Sequence, residues 1–510
     1  MRPHPVKRLA VCSAAAVLPV LLAAAPATAT VTSRSANDSF QNYASQKLEM
    51  GFFEQWGIYG RGFTLASADH EGEIADLTDL DYAFGGVEPL DGATHNSAGV
   101  LAVSNEPIQP DPAQPNYNPV VCSSLDTWAD YQDPYLTDVD GGSGVAASGL
   151  AGNFDQLAEL KAKYPDLKAI MSLGGYNGSA FFSAAAATPA SRQAFVSSCI
   201  NMFIKGNAPA ASGLPATGTE KSMLPAGAAA GIFDGFDIDW EYPADNNGAP
   251  GNLYSSSDTE NFVLLLREFR SQLDALSRTT GERYTLTVEM PAGLQNAKYL
   301  EPGAMARYVN DEVVMDYDFQ GPWDSMGPTN FDSNLYESPN APNTTAEPLI
   351  SDSSTVNYYE RQGVQPRQLV VGVPYYGHGW AGVPAGPDYG LYQPATGPAT
   401  SPDINSLGNS VPALDGADPA GTSDYYELAN QPGYSWHFDP VTGATWLYNP
   451  STQVFWSVEN PAEVFEKALY IDREGLAGAS VWALEGDSQN ALTSALTAGL
   501  QQSSSLPSEP

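Results

Sequence analysis

Eight short apolar segments, each separated from the next by a helical or irregular stretch, constrain the fold of this chain more than any other feature. They are rich in β-branched and aromatic residues and are bounded by Gly, Pro or Asn, as buried strands are. The eight segments are 48–53, 80–85, 168–174, 232–241, 284–291, 312–319, 369–376 and 476–482. Because strands and helices alternate eight times, we predict an α/β fold, a (β/α)8 TIM barrel with its active site at the C-terminal ends of the strands.

The clearest helical signal lies between the fourth and fifth predicted strands. Ser257 and Glu260 have the spacing of a capping box, which marks the first turn of a helix. The residues that follow on one face are apolar: Phe262, Leu265, Leu266, Phe269, Leu273 and Leu276. The pattern predicts an amphipathic helix packed against the barrel.

Three intervals between predicted strands are too long for simple barrel loops. Residues 86–150 are polar, 207–230 are rich in Ala, Gly and Pro, and 381–455 contain two alternating segments separated by a turn at Gly443. The last interval predicts a small α+β insertion domain. The predicted domains are therefore a barrel over 47–380 and 456–500, an insertion domain at 381–455 and a disordered tail at 501–510.

The N-terminus has the three parts of a secretory signal peptide. A basic stretch at 2–8 precedes an alanine-rich apolar run at 9–25, and small residues at 27–29 fit a cleavage site. We predict a signal peptide at 1–29 and a leader at 30–46, with a membrane anchor as the alternative. No later segment reaches the roughly 18 apolar residues of a membrane span, so the prediction is a secreted, extracellular protein without membrane association.

Cleavage at that site removes Cys12 and leaves Cys122 and Cys199. Two cysteines in an oxidising compartment can form a disulfide. Cys199 also lies with Phe195 and Met202 on the inward-facing side of a predicted helix, and a buried free thiol would explain that position equally well. Both alternatives stay open on the sequence.

The charge balance and the missing motifs exclude several functions. The 510 residues include 59 acidic and 22 basic side chains, for a net charge of −37, which would repel phosphate backbones. We therefore predict no nucleic-acid partner. The chain has no HExxH, paired CxxC, GxSxG or P-loop motif, so the sequence supports neither a metal site nor a cofactor.

The segment from Phe233 to Pro243 carries the strongest functional signal. Side chains alternate along a strand, so Asp237, Asp239 and Glu241 share one face, and in a barrel strand that face looks inward. Carboxyl groups this close cannot all ionise, so at least one keeps its proton near neutral pH. A protonated carboxyl is what cleavage of a glycosidic oxygen requires, and Glu241, the outermost, is the natural donor.

Two other interpretations of this acidic segment compete with catalysis. Asp-x-Asp-x-Asp resembles the start of a calcium loop, but the intervening residues are bulky and no Gly occupies the turn position. A structural ion network would need Arg or Lys nearby, and none is present locally. Asp234 falls out of phase with the other acids, and we expect a structural role for it.

The acidic segment and three further motifs make the chain resemble glycoside hydrolase family 18, the chitinase family. The segment Asp234 to Glu241 matches its DxxDxDxE signature, and Ser172 to Gly175 resembles its SxGG motif. Met315 to Asp318 resembles its MxYD motif, and Trp482 matches the tryptophan that ends strand eight. The interval 381–455 resembles the insertion domain of the bacterial-type subgroup.

The resemblance implies a substrate-assisted, retaining hydrolysis of chitin and chito-oligosaccharides by a secreted monomer without a cofactor. Glu241 would be general acid and base, Asp239 would hold the substrate's acetamido group, Asp237 would relay charge, and Tyr317 would bond the acetamido oxygen. The implied substrate-binding residues are Trp482, Asp318, Met315, Trp323, Gln320 and Tyr176.

Three positions depart from the usual family pattern. Phe52 stands where Tyr is usual, Tyr176 where Trp is usual, and His378 where Arg is common. These changes bear on sugar contacts rather than on the acid strand. Two alternatives within the family are an endo-β-N-acetylglucosaminidase acting on N-glycans, disfavoured by the large insertion, and a non-catalytic sugar-binding protein, disfavoured by the presence of Glu241.

Overall fold

The structure is a computed structural model, and it describes residues 47–90, 118–142, 144–208, 224–342, 350–402 and 419–503. The predicted signal peptide and leader lie outside these residues. The strands are β1 (Leu48–Glu54), β2 (Asp79–Pro89), β3 (Val120–Ser124), β4 (Lys168–Gly174), β5 (Gly235–Asp239), β6 (Thr285–Pro291), β7 (Asp311–Met315), β8 (Leu369–Pro374), β9 (Tyr376–Ala381), β10 (Gly397–Pro398), β11 (Thr422–Asp424), β12 (Ser435–Asp439), β13 (Ala444–Asn449), β14 (Val454–Val458) and β15 (Gly478–Trp482).

Eight parallel strands close into a barrel, which confirms the predicted fold. They follow one another in the order β1, β15, β8, β7, β6, β5, β4 and β2, and β1 pairs with β2 to complete the ring. Each of the eight lies within, or overlaps, one predicted apolar segment. Their residues are almost all buried because the inner face fills the barrel and the outer face packs on helices.

The helices connect the strands and cover the outside of the barrel. They are α1 (Leu65–Glu71), α2 (Glu73–Asp76), α3 (Gly152–Lys163), α4 (Gly175–Gly178), α5 (Phe182–Ala186), α6 (Pro189–Cys199), α7 (Asp258–Thr280), α8 (Leu294–Ala297), α9 (Pro302–Met305), α10 (Asp352–Arg361), α11 (Tyr425–Leu428), α12 (Pro461–Arg473) and α13 (Ala491–Ser503). Among the described residues, no helix combines the length and the apolarity that crossing a membrane requires.

Two details of the predicted helices and tail are wrong. Helix α7 forms where predicted, but the Ser257 side chain makes no capping hydrogen bond, because Asp258 accepts the backbone N–H of Ser255 (2.6 Å) instead. Helix α13 continues to Ser503, three residues into the segment predicted as a disordered tail. Packing on the barrel holds its last turns, since Leu496 and Leu500 are buried.

A short antiparallel strand, β3, lies beside the C-terminal half of β2 and adds to the barrel sheet there. Strand β3 lies within the long interval after β2 and pairs with the C-terminal half of that strand. Cys122 on β3 forms a disulfide with Cys199 at the end of α6. Both cysteines are buried, so the structure decides the open alternative in favour of a disulfide that is also part of the core.

A second, antiparallel sheet lies between β8 and β15 in the sequence. Its main path is β10, β9, β14, β13 and β12, and β11 pairs with β9. The sheet has its own small core, which includes Trp380, Trp446 and Phe455. It begins at Tyr376 and ends at Val458. The boundaries 381–455 for an insertion domain stay a prediction.

Candidate active site

A cavity of about 1170 Å³ opens where the barrel strands end. Gly174, Asp239, Pro291, Met315 and Trp482, the last residues of five barrel strands, line it. The residues predicted for the site that line this cavity are Glu241, Asp239, Tyr317, Trp482, Asp318, Met315, Trp323, Gln320 and Tyr176. Asp237, the remaining predicted residue, lies below the cavity inside the barrel.

Strand β5 carries the three acids from the barrel interior to the cavity. Asp237 is fully buried and accepts hydrogen bonds from Ser172 (2.7 Å) and Thr287 (2.9 Å) on the two neighbouring strands. Asp239 ends the strand and is 4% exposed, and its Oδ1 has no hydrogen-bond partner in the described part of the chain. Glu241 follows the strand and is partly buried at the cavity wall.

Burial raises the pKa of all three acids. The pKa of Asp237 rises to about 6, because the hydrogen bonds from Ser172 and Thr287 only partly offset its burial. Burial, with the charges of Glu241 and Asp237, raises the pKa of Asp239 well above its usual range. Burial raises the pKa of Glu241 to about 7, against a lowering hydrogen bond from Tyr242. A large fraction of Glu241 therefore keeps its proton near neutral pH, as a general acid requires.

The backbone around Glu241 is held on both sides. Its N–H donates to Ser179 Oγ (2.9 Å), and its carbonyl accepts from Asn252 Nδ2 (2.9 Å). Gly174 has a φ of +108°, and a Cβ there would lie 2.3 Å from the carbonyl oxygen of Asp239. Only glycine allows this close approach of two strand ends, which explains the Gly that follows Ser-x in the predicted motif.

Tyr317 and Asp318 reach the cavity from the segment just after β7. The Tyr317 ring meets the Tyr376 ring edge to face, with centroids 6.1 Å apart. Asp318 has a φ of +58°, and its N–H donates to the buried side chain of Asp332 (2.9 Å). Its carboxylate accepts from Tyr376 Oη (2.7 Å). These contacts fix both residues at the cavity wall beside Tyr376.

Trp482 lies at the centre of an aromatic cluster on the cavity floor. Its ring stacks on Phe84 at a centroid distance of 5.6 Å and packs against Phe52 at 5.0 Å, and Trp56 packs on Phe84 in turn. Phe52 has no hydroxyl, so this departure from the family pattern contributes packing under Trp482 and no hydrogen bond. A flat aromatic floor suits the apolar face of a sugar ring.

The outer predicted residues stand at the cavity mouth. Trp323 is 56% exposed and Tyr176, on α4, is 49% exposed, although both are large aromatic residues. Gln320 lines the same cavity between Asp318 and Trp323 in the sequence. Aromatic side chains exposed at the mouth of a cleft can stack on sugar rings, so these positions fit further sugar contacts.

Sequence reasoning missed two acids inside the barrel. Glu289 on β6 and Asp81 on β2 are buried, and none of their carboxyl oxygens has a hydrogen-bond partner in the described residues. Burial and the neighbouring Asp237 raise the pKa of each well above its usual range. Alternation along 284–291 places Glu289 on the same face as Thr287, so the signal was present in the sequence.

The structure argues against both competing interpretations of the acidic segment, the calcium loop and the structural ion network. Gly235–Asp239 is a strand rather than a calcium-binding turn. The lining of the cavity holds five acids (Glu88, Asp239, Glu241, Asp318 and Asp324) and no basic side chain among the described residues. Asp234 points elsewhere: it pairs with Lys161 (2.5 Å) and accepts the N–H of Ala169 (2.9 Å), a structural contact.

The fold and the cavity define a (β/α)8 barrel protein with a long cleft lined by acids and aromatic rings. The chain matches the family described as Glycosyl hydrolases family 18 over residues 49–487, which covers all eight barrel strands but for the first residue of β1. This chain belongs to that family.

Two of the curated relatives are longer than this chain. Chitinase A1 of Niallia circulans is 30% identical over 477 residues, and chitinase C of Streptomyces lividans is 28% identical over 471 residues; each alignment covers 90% of this chain. The alignments cover 59% and 60% of those relatives. The chain thus spans about three-fifths of the length of these curated relatives.

Solved structures give the same result for the fold. The catalytic domain of psychrophilic chitinase B from Arthrobacter TAD20 superimposes with a TM-score of 0.75 at 32% identity, covering 91% of this chain and 97% of that one. Chitinase ChiA74 from Bacillus thuringiensis gives a TM-score of 0.69 at 28% identity, covering 91% and 71%.

Proposed function

We propose that this chain is a chitinase, which hydrolyses β-1,4 bonds between N-acetylglucosamine units with help from the substrate's own acetamido group. The observation that carries the proposal is the pairing of Glu241, whose pKa burial raises to about 7, with the unpartnered Oδ1 of Asp239 in one cavity. The names of the relatives support this choice of substrate.

Glu241 begins the reaction as the acid. Its proton moves to the glycosidic oxygen as the bond from that oxygen to the anomeric carbon breaks, and the leaving sugar departs as an alcohol. The acetamido oxygen of the same sugar attacks the anomeric carbon and forms a cyclic oxazolinium ion. The Glu241 carboxylate then takes a proton from water, whose oxygen attacks the anomeric carbon and releases the acetamido oxygen.

Asp239, Tyr317 and Asp237 stabilise the acetamido group through this cycle. The free Oδ1 of Asp239 can accept the acetamido N–H, and its charge offsets the positive ring that forms. Tyr317 Oη can donate to the acetamido oxygen. Asp237, fixed by Ser172 and Thr287, would relay charge with Asp239, whose pKa the charge of Asp237 raises.

The aromatic floor and rim bind the rest of the sugar chain. Trp482 lies beneath the reacting sugar, and Met315 and Asp318 line the pocket beside it. Trp323, Gln320 and Tyr176 at the mouth contact further sugar units. Neutral polysaccharides bind through stacking rather than through charge, so an acidic protein with this lining is compatible with chitin.

Hydrolysis of an N-acetylglucosamine hexamer tests the proposal. We expect shorter oligosaccharides whose new reducing ends are initially β by early-time NMR, because the assisted mechanism retains configuration. An initial α excess contradicts it. Release of glycan from a high-mannose glycoprotein, with no product from colloidal chitin, would favour the endo-β-N-acetylglucosaminidase alternative.

Glu241→Gln tests the assigned acid directly. The variant keeps the shape of the side chain but has no proton to give, so turnover should fall by about 100- to 10,000-fold. Binding of the hexamer, measured by tryptophan fluorescence, should persist. A variant that keeps wild-type turnover excludes Glu241 as the acid, and wild-type protein that binds without turnover would instead be a sugar-binding protein.

Export and a monomeric state belong to the same proposal. The predicted signal peptide at 1–29 supports export to the medium, where an insoluble polymer is accessible. N-terminal sequencing of the protein from culture supernatant should begin at residue 30. Sedimentation velocity should give a single species with the mass of one mature chain.

A further inference from the structure

His378 lies behind the cavity wall and contacts three residues that line the cavity, Asp318, Trp323 and Tyr376. It is 4% exposed on β9, and its Nε2 is 2.8 Å from Asp318 Oδ1 and 3.6 Å from Asp332 Oδ1. Its ring meets the indole of Trp323 edge to face, with centroids 5.0 Å apart. One side chain therefore supports both an acid and an aromatic residue of the proposed sugar site.

The charges around His378 are mostly negative. On its other side, Nδ1 faces the carbonyl of Gly421 (3.4 Å) and the hydroxyl of Thr422 (3.4 Å). A smaller cavity of about 250 Å³ adjoins it. The titratable and charged groups that line this smaller cavity or contact His378 are Asp318, Asp332, Tyr376, Glu54, Glu485, Asp424 and Arg61, and Arg61 forms an ion pair with Asp424.

The neighbouring acids explain why His378 is charged. Burial alone would lower its pKa, but Asp332 and Asp318 outweigh burial and raise the pKa to about 9. Burial would likewise raise the pKa of Asp318, but the hydrogen bond and charge of His378 lower it below its usual value. A neutral imidazole would leave Asp318 and the buried Asp332 facing each other without a cation, a repulsive arrangement.

We propose that His378, as an imidazolium, is a positioning residue that fixes Asp318 and Trp323 for sugar binding, so that oligosaccharide affinity falls when His378 loses its proton at alkaline pH. The inference rests on the proposed function for the identity of the sugar. It goes beyond that function because it assigns the pH dependence of binding to a residue that does not touch the substrate.

The test measures hexamer binding in a protein that cannot turn over. In Glu241→Gln, the titration of Glu241 is removed, and the Kd of the N-acetylglucosamine hexamer can be followed by calorimetry from about pH 7 to about pH 10.5. We expect Kd to rise about tenfold or more over this range, with a midpoint near pH 9.

Two double variants separate charge from packing. Glu241→Gln/His378→Arg carries a permanent charge, so its Kd should stay constant over the same range. Glu241→Gln/His378→Gln has no charge, so its Kd should be high and constant. His437 in the second sheet, away from the cavity, is the matched control: Glu241→Gln/His437→Gln should keep the rise seen in Glu241→Gln.

A constant Kd in Glu241→Gln, or an unchanged rise in the His378→Arg background, overturns the inference while hydrolysis by wild-type protein still supports the proposed function. Thermal unfolding gives a second readout without sugar. The charge of His378 stabilises the fold below its unfolded pKa of about 6.5, and this stability disappears as pH rises through about 9. His378→Arg should abolish that loss, and a loss as large as wild type's contradicts the proposal.

Discussion

Two clusters of buried carboxyl groups in this molecule differ in one respect, the presence of a cation. Inside the barrel, Asp237, Glu289 and Asp239 lie close together, and the charged neighbours that raise the pKa of Asp239 and Glu289 are all carboxyls. In the second cluster, by contrast, the fully buried Lys467 of α12 forms ion pairs with Asp352 (3.0 Å) and Glu459.

The difference teaches what each cluster does. Lys467 keeps its charge because Asp352 and Glu459 outweigh the cost of burial and raise its pKa. A paired cluster of this kind fixes structure, since breaking it leaves buried charge. The cluster without a cation must hold protons instead, and protons held near neutral pH are available for chemistry.

We expect the largest effect from Asp239→Asn, which tests the cluster that has no cation. The amide keeps the shape but removes the charge that offsets the oxazolinium ion, so turnover of the hexamer should fall by about 100- to 1000-fold. Asp234→Asn, three residues before Asp237 and bonded to Lys161, is the control and should stay within about twofold of wild type. Near-wild-type turnover in Asp239→Asn would falsify the assisted mechanism.

Lys467→Met tests the structural cluster. Loss of the cation leaves buried carboxyls unpaired, and urea unfolding should show a decrease of about 3–5 kcal/mol in the free energy of unfolding. The kcat of the protein that remains folded should be close to wild type. Lys163→Met, which removes a half-exposed partner of Asp69, should leave the free energy of unfolding close to that of wild type, because an exposed ion pair is screened by water. Equal losses in the two variants would erase the distinction between the clusters.

Glu289→Gln gives the smallest and most specific effect. A buried acid with a raised pKa keeps its proton in the folded state but loses it in the unfolded state above about pH 4.3, so its contribution to stability is lost as pH rises. The variant removes this loss, and we expect it to gain about 1–3 kcal/mol relative to wild type between about pH 5 and pH 8.

Glu312→Gln is the matched control for Glu289→Gln. Glu312 is equally buried without a hydrogen-bond partner in the described residues, but its strand neighbour Val313 points into the barrel, so Glu312 faces the helix layer near Tyr359. Both variants should flatten the dependence of stability on pH. Only Glu289→Gln should also shift the pH profile of kcat/KM. A shift in both variants would show that the effect is not specific to acids inside the barrel.

Local sequence pattern predicted most of the fold and the acid strand, because both depend on alternation along single segments. The alternation of Asp237, Asp239 and Glu241 placed them on one face before any neighbour was known. The contact of His378 with Asp318 joins residues 60 positions apart, and no local pattern specifies it. Its partners follow from tertiary packing, which brings β9 against the segment that follows β7.

The errors at Ser257 and Ser503 have different causes. A competing local hydrogen bond replaced the predicted capping box, and tertiary packing extended the last helix into the predicted tail. Asp258 bonds to the backbone ahead of α7, and the buried Leu500 ties the last turns of α13 to the barrel. Glu289 was overlooked for another reason: one acid in an apolar strand is not informative until barrel closure brings four more near it, Asp237, Asp239, Asp81 and Glu241.

The cleft's lining, with five carboxyl groups and no basic side chain in the described part of the chain, bears on which polymers can enter it at all. A neutral sugar chain loses little on entry, whereas a polyuronate or a teichoic acid brings anions into a narrow space that offers no counter-ion. In a mixture of cell-wall polymers, we therefore expect the cleft to admit neutral chains and to exclude anionic ones. Weak inhibition by pectin would be the experimental sign.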